Sequence, residues 1–160
     1  MGLFDLFKRK SYKYEPKTLP FGRFGTISRC GKDDWIPDGP TVQGGFELEV
    51  NYYIPDDDEP GPEHLAYYEM LIENWDSIWG TALQAIREDM AEWELDDSPR
   101  EQFLKEVRPT GINVFCSKPK NRPPQNEPLE WEMPCDPWVL EHLVSIKMRG
   151  KECIGIGFDG

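Results

Sequence analysis

Phe46-Glu47-Leu48-Glu49-Val50-Asn51-Tyr52-Tyr53-Ile54 alternates apolar and polar residues, and after one acidic turn a helical pattern follows. Phe46, Leu48, Val50, Tyr52 and Ile54 share one face of an extended chain, with Glu47, Glu49 and Asn51 on the other. The stretch therefore predicts a half-buried strand. From Leu65 the apolar period lengthens to 3.6 residues: Leu65, Tyr68, Ile72, Trp75, Trp79, Leu83, Ile86, Met90 and Trp93. That spacing predicts one amphipathic helix from near Glu63 to Trp93, about 45 Å long if unbroken. Gly80 is the expected place for a bend, at about 1 kcal/mol relative to Ala. Pro55-Asp56-Asp57-Asp58-Glu59-Pro60-Gly61-Pro62 must turn between the two elements, because its prolines and glycine interrupt any ladder.

Other segments extend this frame in both directions. Phe24 to Cys30 reads as a first strand, and Lys32 to Gly45 as a Gly-, Pro- and Asp-rich loop in which Trp35-Ile36 pairs at most briefly. Ser98-Pro99-Arg100-Glu101 has the form of a capping box with Pro at the first helical position, opening a short helix to about Val107. Gly111 to Cys116 is a strand, and Ser117 to Pro128, with four prolines, is a loop. Leu129, Trp131 and Met133 alternate with Glu130 and Glu132 in a further strand. At the end of the chain a hairpin is expected with Ile146 opposite Ile154. Its turn is either a three-residue loop, Arg149-Gly150-Lys151, or a two-residue turn with a bulge. The fold class is α+β: an antiparallel sheet of five to six strands with one long amphipathic helix packed across a face. Residues 18–160 form a single domain, and residues 1–17 a basic amphipathic appendage.

Charge is unevenly placed along the 160 residues, whose net charge is −12. Residues 1–32 hold eight Lys/Arg against Asp5 and Glu15; residues 33–160 hold ten against twenty-eight Asp/Glu. Such an acidic body repels phosphates, so nucleic acid is not an expected partner. It suits a basic protein partner, or serves solubility alone. Cys30, Cys116, Cys135 and Cys153 are far apart and never in a C-x-x-C pair, which reads as reduced thiols in a cytoplasmic protein. The start of the chain lacks the charge order and the long apolar core of a signal peptide. Leu3, Phe4 and Phe7 beside Lys8, Arg9 and Lys10 could rest weakly on an anionic membrane; docking on the domain itself is the alternative.

Candidate chemistry is sparse. Only His64 and His142 are available for general-base work. His142 has Cys135, Asp136 and Glu141 near it in sequence, so a hydrolase or metal-dependent enzyme using His142 with Asp136 or Glu141 is one reading. A core or sheet-end histidine on a strand shared with Val144 and Ile146 is the simpler one. Asp56, Asp57, Asp58 and Glu59 supply hard oxygen ligands, but without the glycine and the distant glutamate of a calcium loop they read as a solvated turn. No metal and no cofactor is expected. Trp75, Trp79 and Trp93 read as core, with any one the sheet cannot cover marking an interaction surface. Gly155 and Gly157 read as room for close packing of another element.

The order of Phe24-Gly25-Thr26-Ile27, the strand 46–54, the helix from Ala66-Tyr67-Tyr68 to Trp93, Asp136-Pro137-Trp138, Glu141-His142-Leu143-Val144 and Ile156-Gly157-Phe158-Asp159 resembles small bacterial α+β domains of immunity-protein-like or unassigned function. That resemblance implies a binding protein without catalysis, one that covers the site of a toxin. The expected function is thus a non-enzymatic interaction module that meets a basic partner through Asp56, Asp57, Asp58, Glu59, Glu47 and Glu49. The enzyme using His142 is one alternative, and a peripheral membrane protein held by residues 2–10 is another.

Overall fold

In the computed structural model, which describes residues 14–38, 41–55, 58–92, 96–116, 128–139 and 141–159, the alternation around residue 50 becomes the central strand. The elements in chain order are β1 (Thr18–Pro20), β2 (Thr26–Arg29), β3 (Asp34–Pro37), β4 (Thr41–Gln43) and β5 (Phe46–Tyr53). Helices α1 (Pro62–Glu73), α2 (Trp75–Met90) and α3 (Asp97–Glu106) follow, then β6 (Arg108–Pro109), β7 (Gly111–Phe115), β8 (Glu130–Val139), β9 (His142–Arg149) and β10 (Glu152–Asp159). Leu48, Val50 and Tyr52 of β5 are buried, and Glu47, Glu49 and Tyr53 face out.

The sheet is larger than the expected five to six strands, and it is mixed rather than antiparallel. Nine described strands form it, in the order β1-β2-β3-β5-β7-β8-β9-β10 with β6 beside β8; β4 adds a short ladder to β5. β5 and β7 pair in parallel, from Glu49↔Gly111 to Tyr53↔Phe115. The physical reason is the connection: a parallel pair needs a crossover of a dozen or more residues, and the three helices supply it. The Gly- and Pro-rich stretch after Lys32 is not simply a loop but carries β3 and β4. The β4–β5 turn is Gly44-Gly45, with φ of 54° and 87°, the left-handed pair that a two-residue hairpin requires. The strand expected from Phe24 to Cys30 is the second, β2; it starts at Thr26, because Gly22–Phe24 is a turn of 3₁₀ helix, and β1 precedes it.

The single long helix is also corrected. It breaks at Asn74 and not at Gly80, giving α1 and α2. Asn74 uses its backbone N–H (3.1 Å) and its side-chain Nδ2 (2.9 Å) to reach the Met70 carbonyl, while its own carbonyl accepts from Ile78 to start α2. A side chain that bonds a nearby carbonyl competes with the helical ladder. The buried face changes accordingly: Tyr67, Tyr68 and Leu71 in α1 give way to Trp75, Ile78, Ala82, Ile86 and Met90 in α2. Helix α3 begins at Asp97, earlier than the capping box predicts, with Asp96 at its N-cap.

The final hairpin has the two-residue turn, Gly150-Lys151, with a bulge. Its register differs from expectation, since Ile146 faces Ile156 rather than Ile154. The ladder slips between Cys153 and Gly155, leaving Ile154 as the extra residue, 46% exposed. One register row crosses six strands through Trp35, Tyr52, Val114, Trp131, Met148 and Cys153. This row and the buried helix residues join one hydrophobic core, so α1, α2 and α3 all lie on the same face of the sheet.

Candidate functional site

With the helices on one face, the outward residues of the central strands form a second surface that no described helix covers. Register sets its composition. One row runs Asp34, Tyr53, Phe115, Glu130, Arg149 and Glu152; the next runs Asn51, Asn113, Glu132, Lys147 and Gly155. Tyr53 and Phe115 meet across the parallel pair, with ring centroids 5.5 Å apart and planes 17° from parallel. They are 39% and 45% exposed. Stacked aromatics at the C-terminal ends of two central strands, each leaving a large part of its ring in solvent, offer a flat apolar platform.

Carboxylates surround the platform. Asp34 lies beside Tyr53, Glu130 beside Phe115, Glu132 beside Asn113, and Glu49 beside Gly111. Arg149 Nη2 donates to Glu130 Oε1 at 2.7 Å, so one carboxylate is neutralised within the face. Lys147 extends toward Gly157, where an added Cβ would come within 3.3 Å of the lysine Cε. The space at Gly157 is therefore taken by a neighbouring side chain, not by another element. At the Arg149 end the surface meets a cleft of about 440 Å³ lined by Tyr67, Met70, Pro128, Gly150 and Lys151.

The residues singled out in the sequence divide among different places. Glu47 and Glu49 are exposed on the open face. Asp58 and Glu59 lie past the end of β5, in the turn toward α1. There Asp58 Oδ1 accepts the Glu59 N–H (3.0 Å) and Glu59 forms an ion pair with Lys17. Asp56 and Asp57 lie outside the described residues, as do Trp93, the segment 117–127 that the sequence reads as a loop, and Leu3, Phe4, Phe7, Lys8, Arg9 and Lys10. Trp75 and Trp79 stack 6.5 Å apart, and Phe46 meets Trp79 edge-on at 5.5 Å, so both indoles pack against the core.

His142 is exposed at the start of β9, opposite Val139, and not buried with Val144 and Ile146. Asp136 pairs with Arg108 of β6 and precedes Pro137 through a cis peptide; Glu141 has a left-handed φ of 68°. Among the described residues no hydrogen bond or ion pair joins His142 to either carboxylate. The Cys135 thiol is fully buried, and burial pushes it up to about 12, with Asp136 adding to the rise. His64 is buried too. Its Nδ1 accepts the Gly61 N–H at 2.9 Å and its carbonyl accepts the Tyr52 hydroxyl at 2.9 Å, which ties the start of α1 to β5. No group of three or more described His, Cys, Asp or Glu side chains is placed to hold a metal ion. No described helix is long and apolar enough to cross a membrane.

What sequence reasoning missed is the aromatic pair. Tyr53 is in phase with Glu47, Glu49 and Asn51, and an aromatic at an outward strand position was the available signal. Phe115 needed the register of β7 on β5. No family model matches the chain, and neither the curated proteins nor the solved structures contain a match.

Proposed function

We propose that this protein is a non-enzymatic interaction module that binds a basic partner protein on the open face of its sheet. The observation that carries the reading is the exposed Tyr53–Phe115 stack on a face that no described helix covers, with Asp34, Glu49, Glu130 and Glu132 in adjacent register positions. Aromatic anchors supply affinity by excluding water, and they are enriched where binding energy concentrates. The surrounding carboxylates steer a cationic partner and raise its association rate more than they deepen the complex. The binding surface is thus centred on β5, β7 and β8, with Glu47 and Glu49 at its margin and the turn at Asp58 and Glu59 outside it.

The double variant Tyr53→Ser with Phe115→Ser tests this reading. Both side chains are exposed, so the core remains intact. A synthetic twelve-residue peptide of alternating lysine and leucine is expected to bind the variant at least tenfold more weakly than the wild type, by surface plasmon resonance. Equal affinity for the two chains would reject the face.

A further inference from the structure

The open face has a complementary segment within the same chain. We propose that residues 1–13 occupy this face and act as an internal competitor which the basic partner displaces; the inference rests on the face being the binding surface. Three observations support it.

The first is chemistry. Leu3, Phe4, Leu6 and Phe7 are followed by Lys8, Arg9, Lys10 and Lys13, an apolar and then cationic order. The face offers the matching pair of features: the Tyr53–Phe115 platform, and the carboxylates Asp34, Glu49, Glu130 and Glu132. Against these, among the described residues, stand Lys147, Arg149 and, opposite Asp136, Arg108; Glu130 holds Arg149. The balance on the face stays negative.

The second is position. The Lys17 carbonyl accepts the Arg29 N–H at 2.8 Å, and Arg29 pairs with Trp35, the neighbour of Asp34. Asp34 pairs with Tyr53, and Tyr53 with Phe115. The chain therefore enters the sheet at the end that carries the aromatic platform.

The third is reach. From β1 to β5 is three strand steps, roughly 14 Å at about 4.8 Å each. Thirteen extended residues span about 43 Å at about 3.3 Å each. A tethered segment is present at an effective concentration on the order of millimolar, so even a weak contact fills the face for part of the time.

Zero-length carbodiimide cross-linking of the full-length chain at low micromolar concentration reads the contact directly, because it joins a lysine amine to a carboxylate that touches it. Peptide mapping of the monomer band is expected to show Lys8, Lys10 or Lys13 joined to Asp34, Glu49, Glu130 or Glu132. In the Tyr53→Ser, Phe115→Ser chain the yield of those links is expected to fall at least threefold. The proposal is overturned by tail links that reach only carboxylates off the face, by their absence, or by a yield unchanged in the variant. Links found only between two chains would assign the segment to a second copy and overturn it equally. Loss of peptide binding by the double variant without any tail links removes this inference and leaves the interaction face standing. Tail links together with unaltered peptide binding do the reverse.

Discussion

The Tyr67 hydroxyl is buried and has no hydrogen-bond partner among the described residues. Burial raises its pKa, with Tyr52 and Cys116 adding to the rise; the same cause, burial, takes Cys135 from 9.0 to about 12. Both groups keep their protons in the folded chain at a pH where the unfolded chain has released them. The contribution of these two groups to stability is thus fully present below about pH 9 and falls as pH rises from there toward 12. Because an unpartnered buried hydroxyl costs about 1–3 kcal/mol, Tyr67→Phe is expected to raise stability by about 1 kcal/mol at pH 7. The same variant loses less stability between pH 9 and 11 than the wild type. Urea titrations at those pH values check both statements, and a loss of more than about 1 kcal/mol at pH 7 would show that the hydroxyl has a partner.

At the scale of elements, Gly80 sits inside α2, exposed, with open space where a Cβ would go. Gly80→Ala is expected to stabilise the protein by about 1 kcal/mol in urea denaturation, since the methyl meets nothing and the unfolded chain loses freedom. A bend at Gly80 would have made the same change neutral or harmful. Strands whose apolar residues alternate, β5 and the Trp131–Met133 part of β8, were legible because burial on one face imposes a period of two. The break at Asn74 was not, because Leu71, Trp75 and Ile78 keep a helical spacing through it. The break is local to Asn74, whose φ of −118° and ψ of 13° leave the helical region and whose side chain shares the Met70 carbonyl with its own N–H. In the last hairpin the bulge at Ile154 moved Ile156 opposite Ile146. A pattern that counts every residue as one step cannot register an extra one.

At the scale of the molecule, strand direction and order depend on where the helical crossover returns the chain. The parallel pairing of β5 with β7 is therefore a tertiary outcome, and so is the meeting of Tyr53 with Phe115. The outward phase of Tyr53 could be read in advance, but its partner could not. The acidic excess after residue 32 was legible as composition. Which of its carboxylates gather around the aromatic pair is set by register and could not be read from composition. The most direct test is amide chemical-shift mapping of the full-length chain titrated with a synthetic twelve-residue peptide of alternating lysine and leucine. Shifts concentrated at Asn51–Tyr53, Asn113–Phe115 and Glu130–Glu132, shrinking as added salt shortens the screening length, are the predicted result. Shifts concentrated instead on the turn around Asp58 and Glu59, or on the exposed side of α2, would contradict the assignment of the open sheet face as the binding surface.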